Sequence, residues 1–116
     1  MNRTLIVARM EPAESAAVAE IFAESDSGEL PGLVGVTHRA LFSFHGLYMH
    51  LIESHTDVAT TLPLVRDNPA FREVNTRLAS HIRPYDPSWR EPKDAVAQQF
   101  YAWSAKPAEQ VQAGRS

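Results

Sequence analysis

GVTHRALFSFHGLYMHLIE, residues Gly35–Glu53, is the stretch that decides the fold. Two runs rich in β-branched and aromatic residues flank the dipeptide His45-Gly46, a pattern that predicts a β-hairpin closed by a two-residue turn. A four-residue loop from Phe44 to Leu47 would keep the same strand pairing, whereas a loop with an odd number of residues would flip one strand. The predicted strand pairing is therefore the same for a two-residue turn and for a four-residue loop.

This pairing sorts the side chains of the hairpin onto two faces, because successive residues of a strand point to opposite sides of the sheet. The Phe42 face is mainly apolar and carries His38, Ala40, Phe42, Phe44, Leu47, Met49, Leu51 and Glu53. The Arg39 face mixes charged, polar and apolar residues and carries Arg39, Leu41, Ser43, Tyr48, His50 and Ile52. We therefore expect the Phe42 face to form the core beneath the helices.

The Arg39 face is the unusual one. Arg39 and His50 are diagonal neighbours across the predicted ladder, roughly 5–8 Å apart at Cβ. They alternate with Leu41, Tyr48 and Ile52, so this face has the make-up of an apolar cavity that holds a cation and an imidazole. The alternative is an exposed face with scattered apolar residues, which soluble proteins commonly carry.

The other predicted elements surround this hairpin in a recognisable order. They are a strand over Thr4–Met10, a helix over Ala13–Ser25, one kinked helix or two short ones over His55–Arg66 and Ala70–His81, an irregular connection over Ile82–Lys93, and a last strand over Ala95–Ser104. This order is that of the ferredoxin-like α+β fold, βαββαβ, with a four-stranded antiparallel sheet and both helical segments on one face. We expect one domain over residues 1–105 and a disordered tail over residues 106–116.

The open face of such a sheet is expected to be an interface. If the Arg39 face is uncovered, the last strand continues it with Tyr101 and Trp103, and a large apolar surface results. We therefore expect a two-fold homodimer of the dimeric α+β barrel type, with its sheets facing each other around a pocket. Asp26 follows the first helix and is either an ordinary turn former or, if its loop covers the Arg39 face, a part of the site.

The composition limits the possible functions. With 116 residues, 44% apolar and 22% charged, the chain is predicted to be a folded domain. A net charge of −3 argues against a nucleic-acid surface, and the absence of cysteine excludes disulfides and thiolate metal sites. The histidine spacings do not predict a metal site. No apolar stretch reaches about 18 residues and no signal-peptide pattern is found, so we expect a cytoplasmic protein without membrane contact.

The hairpin and the motifs on either side of it resemble the small aromatic polyketide cyclases typified by the tetracenomycin cyclase. The resemblance runs from about Arg3 to Trp103. It is carried by Glu29-Leu30-Pro31, Gly35-Val36, Arg39, Leu41-Phe42, Phe44-His45, Leu47–Glu53, Asn68-Pro69, Phe71, Glu73-Val74-Asn75, Arg77, Phe100-Tyr101 and Trp103. It implies a homodimer without a cofactor that closes a ring of a polyketide by intramolecular aldol condensation and dehydration, a lyase reaction, with transient contacts to polyketide synthase components.

Carried over residue by residue, the catalytic groups proposed for the family fall on Arg39, His50 and Asp26. Arg39 would stabilise an enolate oxygen, and His50 would exchange protons because an imidazole has an ordinary pKa of about 6.5. The type member of the family has a histidine just before the aspartate, whereas this chain has Ser25. If that imidazole carries protons in the relatives, its role here would be lost or would pass to His50. The expected walls for a flat aromatic substrate are Leu41, Ser43, Tyr48, Ile52, Tyr101 and Trp103.

Two other functions stay open at the level of sequence. One is a cofactor-free monooxygenase on the same dimeric frame, acting on a phenolic polyketide. The other is a non-catalytic accessory protein of a polyketide synthase. Loss of water from the substrate would indicate cyclisation, whereas gain of oxygen would indicate oxygenation. For an accessory protein, replacing Arg39 or His50 by alanine would leave the products unchanged.

Overall fold

The structure, a computed structural model, describes residues 2–90 and 92–105. The strands in this part of the chain are β1 (Asn2–Met10), β2 (Val36–Phe44), β3 (Leu47–Ser54) and β4 (Ile82–Arg83). The helices are α1 (Ser15–Asp26), α2 (Leu30–Val34), α3 (Val58–Val65) and α4 (Pro69–Ala79). The strands form one antiparallel sheet in the order β2-β3-β1-β4, which confirms the predicted ferredoxin-like arrangement. No described helix is long and apolar enough to cross a membrane.

The hairpin has the predicted register. His45 and Gly46 have φ angles of 47° and 81°, and positive φ at both central positions is the signature of a type I′ turn. The ladder pairs Phe44 with Leu47 and Leu41 with His50. Arg39 and His50 therefore lie on the same face of adjacent strands, as the sequence predicted.

The helices cover the Arg39 face rather than the Phe42 face, so the predicted assignment of the two faces is wrong. Along β3, burial alternates: Tyr48, His50, Ile52 and Ser54 are buried, whereas Leu47, Met49, Leu51 and Glu53 are only partly buried. The physical reason lies in α1. Its Val18 and Phe22 pack in one cluster with Tyr48, and Asp26 at its end pairs with Arg39. A charged residue can lie beneath a helix when its partner is supplied in this way.

Two apolar clusters form the core between the sheet and the helices. The first contains Ala8, Met10, Val18, Phe22 and Tyr48, with Ile6, Leu41, Leu78 and Ile82 packed against it. The second contains Val34, Ile52 and Val58, with Ile6, Leu30, Val36, Leu62 and Val65. The sheet residues of both clusters lie on the Arg39 face. In the ladders, Ala8 pairs with Tyr48, and both Ile6 and Leu41 pair with His50. Met10, two residues after Ala8 on β1, pairs with Ile82.

The helical segments begin near the predicted positions. Pro12 opens a 3₁₀ turn that leads into α1, where its fixed φ and missing N–H are tolerated. Asn68 caps α4, and its side chain accepts hydrogen bonds from the backbone N–H groups of Ala70 and Phe71. The segment Leu30–Val34, for which the sequence predicted no regular element, is the short helix α2.

The last strand was predicted in the wrong place. β4 lies at Ile82–Arg83, at the start of the segment expected to be irregular, and it pairs with Met10 and Arg9 of β1. In the described part of the predicted strand Ala95–Ser104, Val96 makes one isolated bridge to Ile6, and residues 97–104 have no regular secondary structure. Alternating aromatic residues produced the strand pattern. β1 pairs with β4 at Arg9 and Met10, and it meets the predicted segment at Val96 and at Ala97, whose N–H donates to the carbonyl of Leu5. The predicted tail, residues 106–116, lies outside the described residues.

Gly35 has a left-handed backbone conformation between α2 and β2, and replacing it tests whether that conformation is needed for stability. It ends α2 with φ at 83°, and a Cβ added there would lie 2.9 Å from Oγ1 of Thr56. We expect Gly35→Ala to lower the free energy of unfolding by about 1–3 kcal/mol, from backbone strain and displacement of Thr56. Gly32→Ala is the matched control, because a Cβ there meets nothing within 4 Å and should change stability by less than about 1 kcal/mol. Chemical denaturation of both variants measures the difference, and equal stability would contradict the account.

Candidate active site

Four polar side chains form a continuous hydrogen-bonded network across the Arg39 face. The guanidinium of Arg39 donates to Asp26 through two parallel bonds, Nε to Oδ2 at 3.0 Å and Nη2 to Oδ1 at 2.9 Å. Its Nη1 lies 2.9 Å from Nε2 of His50. On the other side of the ring, Nδ1 of His50 lies 3.0 Å from the hydroxyl of Tyr48. Asp26, Arg39, His50 and Tyr48 are called the polar network below.

The guanidinium fixes which nitrogen of His50 carries the proton. Every polar hydrogen of arginine is a donor, so Nε2 of His50 must accept from Arg39. In a neutral imidazole the other nitrogen then carries the hydrogen, and Nδ1 donates to the oxygen of Tyr48. The network therefore has one direction of donation, from Arg39 through His50 to Tyr48.

Burial keeps the imidazole neutral. His50 is only 5% exposed, and burial together with the adjacent positive charge of Arg39 lowers its pKa to about 3. This corrects the expectation of an imidazole that exchanges protons near neutral pH. Burial also raises the pKa of Tyr48, so that its hydroxyl keeps its proton under neutral conditions.

Phe22 of α1 covers the centre of the network. Its ring centroid lies 4.8 Å from Cζ of Arg39 and 5.0 Å from the ring centroid of His50, which it meets edge to face. The first contact is a cation–π interaction, and the second excludes water from the imidazole. The sequence predicted the helix that carries Phe22 but not the contact of this ring with Arg39 and His50.

A cavity of about 170 Å³ opens at the Tyr48 end of the network, between the sheet and α1. Its walls are Met10, Ser15, Val18, Ala19, Leu41, Phe42, Ser43 and Tyr48. Of the six residues predicted as substrate contacts, Leu41, Ser43 and Tyr48 line this cavity. The wall supplied by α1 was not predicted, although Ser15, Val18 and Ala19 have the i, i+3, i+4 spacing of one helix face.

The other three predicted contacts lie elsewhere. Ile52 is buried in the second apolar cluster, against Val34 and Val58. Tyr101 and Trp103 are 76% and 73% exposed and contribute nothing to the walls. This cavity lies between the sheet and α1. The pocket predicted between the facing sheets of two subunits stays a prediction. Within residues 2–90 and 92–105, no three side chains of the metal-binding types converge.

Comparison with known proteins assigns the family. The family model described as polyketide synthesis cyclase matches residues 2–104. The chain belongs to the polyketide synthesis cyclase family. It is 48% identical to tetracenomycin F2 cyclase of Streptomyces glaucescens over 103 residues, which cover 89% of this chain and 94% of that protein. An uncharacterised protein of Streptomyces coelicolor is 54% identical over 110 residues, 93% of this chain and 99% of that one.

The fold of a solved relative agrees with this assignment. The structure of tetracenomycin F2 cyclase, described as a type-II polyketide cyclase, superposes with a TM-score of 0.86 at 47% identity. The alignment covers 91% of this chain and all of that chain. The four-stranded curled sheet with its helices is thus the architecture of a member of the polyketide synthesis cyclase family.

Proposed function

We propose that this cyclase closes a ring of an aromatic polyketide by intramolecular aldol condensation followed by dehydration, without a cofactor. The observation that carries the proposal is the polar network, which lies under α1 and ends at an apolar cavity. The similarity to tetracenomycin F2 cyclase supports the substrate class. An aldol reaction within one molecule exchanges nothing with the enzyme but protons, so it suits a site built from hydrogen-bonding groups.

Placement of the substrate is the larger part of the proposed catalysis. A poly-β-ketone has several carbons that can react, and the enzyme must bring the correct two together. Holding reacting groups in this way is worth up to roughly 7–11 kcal/mol. The cavity supplies apolar walls from Leu41, Val18 and Met10 for the part of the substrate that is already aromatic.

Arg39 is the electrostatic group in this proposal. Its guanidinium stays charged, and its side chain is only 16% exposed, so its field acts in a medium of low polarity. Asp26 holds the guanidinium flat against the sheet through the two parallel bonds. His50 is not the base in this arrangement, because its free electron pair faces Arg39. The acidic C–H between two carbonyls of the substrate gives its proton to water instead.

A direct assay separates this function from its alternatives. The purified protein is incubated with a synthetic aromatic compound that bears a poly-β-ketone side chain, and products are followed by mass and regiochemistry. We expect loss of one water and a single regioisomer. Leu41→Trp, which fills the cavity, should return the product mixture seen without protein. Gain of an oxygen atom would indicate a monooxygenase, and an unchanged mixture with the wild-type protein would overturn the proposal.

The Phe42 face is the proposed contact with a second copy of this chain. Phe42 and Phe44 are 52% and 58% exposed, and Leu47, Met49 and Leu51 are only partly buried. A sheet face with so much exposed apolar surface usually marks an interface, and a two-fold axis lets the same face bury itself. The homodimer expected from the sequence is thus kept as a proposal, but through the opposite face of the sheet.

A charge on this face tests the proposed dimer. Met49 pairs with Phe42 on β2 and with Val7 on β1, so it lies in the middle of the Phe42 face. We expect Met49→Glu to convert a dimer into a monomer in sedimentation analysis while the circular dichroism spectrum is kept. Glu29→Gln, an exposed change outside the sheet, should leave the dimer intact. A wild-type protein that sediments as a monomer at high concentration would contradict the proposal.

A further inference from the structure

Tyr48 is the member of the polar network that meets the cavity. Asp26, Arg39 and His50 contribute no part of the cavity wall, whereas Tyr48 belongs both to the wall and to the network. Tyr48 is 4% exposed, so this residue is placed at the boundary between a hydrogen-bonded cluster and an apolar space. Such a position is where a small number of polar groups orient a bound ligand.

The hydroxyl of Tyr48 has a hydrogen left to donate. Its oxygen accepts from Nδ1 of His50, because Arg39 occupies Nε2. Within residues 2–90 and 92–105, His50 is the one hydrogen-bond partner of this hydroxyl. A buried donor without an acceptor is destabilising, and an oxygen of a bound substrate would remove that cost.

We propose that the Tyr48 hydroxyl is a catalytic hydrogen-bond donor to the substrate carbonyl that is attacked in ring closure. This proposal rests on the proposed cyclase function and assigns the contact with the reacting oxygen to Tyr48. His50 and Arg39 act through it, because donation along the network increases the polarity of the hydroxyl. The high pKa that burial gives Tyr48 fits a group that donates a hydrogen bond and keeps its proton.

The chemistry of the step balances without an added reagent. The nucleophilic carbon loses a proton to water and forms a bond to the ketone carbon. The π electrons of the ketone move onto its oxygen, where the Tyr48 hydroxyl stabilises the growing negative charge. That oxygen then takes a proton from water, and in the dehydration it leaves as water together with a hydrogen of the adjacent carbon.

Kinetics of Tyr48→Phe give the first test. The phenylalanine keeps the ring and removes only the hydroxyl. In an assay where the wild-type enzyme cyclises the substrate, we expect kcat to fall about 10²-fold while KM changes less than about 3-fold. Tyr85→Phe is the control, because Tyr85 is 45% exposed in the connection after β4 and should keep wild-type values. A Tyr48→Phe enzyme with kcat within about 3-fold of wild type would overturn the proposal.

A spectroscopic measurement on the wild-type protein gives a second test that does not need turnover. The probe is 2-acetylnaphthalene, an aromatic ketone that cannot close a ring. We expect the carbonyl stretching frequency of the bound ketone to be lower than in hexane, and Tyr48→Phe to restore the higher value. A bound ketone with the hexane frequency in the wild-type protein would overturn the proposal for Tyr48. Absence of cyclisation by the wild-type enzyme would instead overturn the proposed function.

Discussion

Arg39→Gln is expected to lower kcat about 10³-fold, the largest loss of activity among the variants considered. The change removes the positive charge from a side chain that is only 16% exposed and breaks both bonds to Asp26. It also removes the donor that fixes the tautomer of His50, so that the direction of donation toward Tyr48 is lost. An electrostatic group of this kind acts strongly because the side chain is largely shielded from solvent.

Arg39→Gln is also expected to change the pKa of His50. The positive charge of Arg39 is one of the two causes that lower the pKa of His50, the other and larger being burial. NMR titration should therefore find this pKa higher in Arg39→Gln than in the wild type, but still below 6.5. Arg3→Gln is the matched control, because it breaks an exposed ion pair with Glu53 on the other face of the sheet. Equal kcat values for Arg39→Gln and Arg3→Gln would contradict the role given to Arg39.

Acid is expected to weaken the fold through His50. Its pKa falls from 6.5 in the unfolded chain to about 3 in the folded protein. Between these values the unfolded chain binds a proton that the native state does not, so the free energy of unfolding decreases as the pH is lowered. The contribution of this one group approaches about 1.4 kcal/mol per pH unit inside the window and vanishes well above pH 6.5. Arg39 and Tyr48 are the polar groups that face the ring.

Denaturation curves at several pH values between 6.5 and 4.5 measure this dependence. His50→Asn should reduce the slope of stability against pH, since the titrating group is gone. His38→Asn, which alters an exposed imidazole on the Phe42 face away from the polar network, is the matched control. Carboxylates also titrate at these pH values, and the comparison of the two variants cancels their effect. Identical slopes for His50→Asn and the wild type would show that His50 is not held neutral by burial.

The hairpin shows how far local rules reach. The His45-Gly46 turn and the alternation of side chains predict the register and place Arg39 beside His50, because both depend only on residues close in sequence. Which face of the sheet α1 covers cannot be predicted from such local rules. It depends on Asp26 meeting Arg39 from the end of a helix, a contact between segments that local patterns do not report.

The polar network shows why apolarity alone misled the prediction of the core. The Phe42 face is richer in apolar residues, and the rule that apolar faces are buried would place it inside. Burial of the Arg39 face instead depends on each polar group having a partner there, Asp26 for Arg39 and Tyr48 for His50. The position of β4 escaped prediction for a similar reason, since a strand of two residues carries no alternation to detect.

The ¹⁵N NMR spectrum of His50 in the free protein at pH 5.5 decides whether the polar network has the described direction of donation. The claim is that Arg39 and Tyr48 hold a neutral imidazole in one tautomer, with its only N–H donated to the hydroxyl of Tyr48. We expect a ring with hydrogen on Nδ1 and none on Nε2, unchanged between pH 7 and pH 5.5. A doubly protonated ring at pH 5.5, or a hydrogen on Nε2, would contradict it.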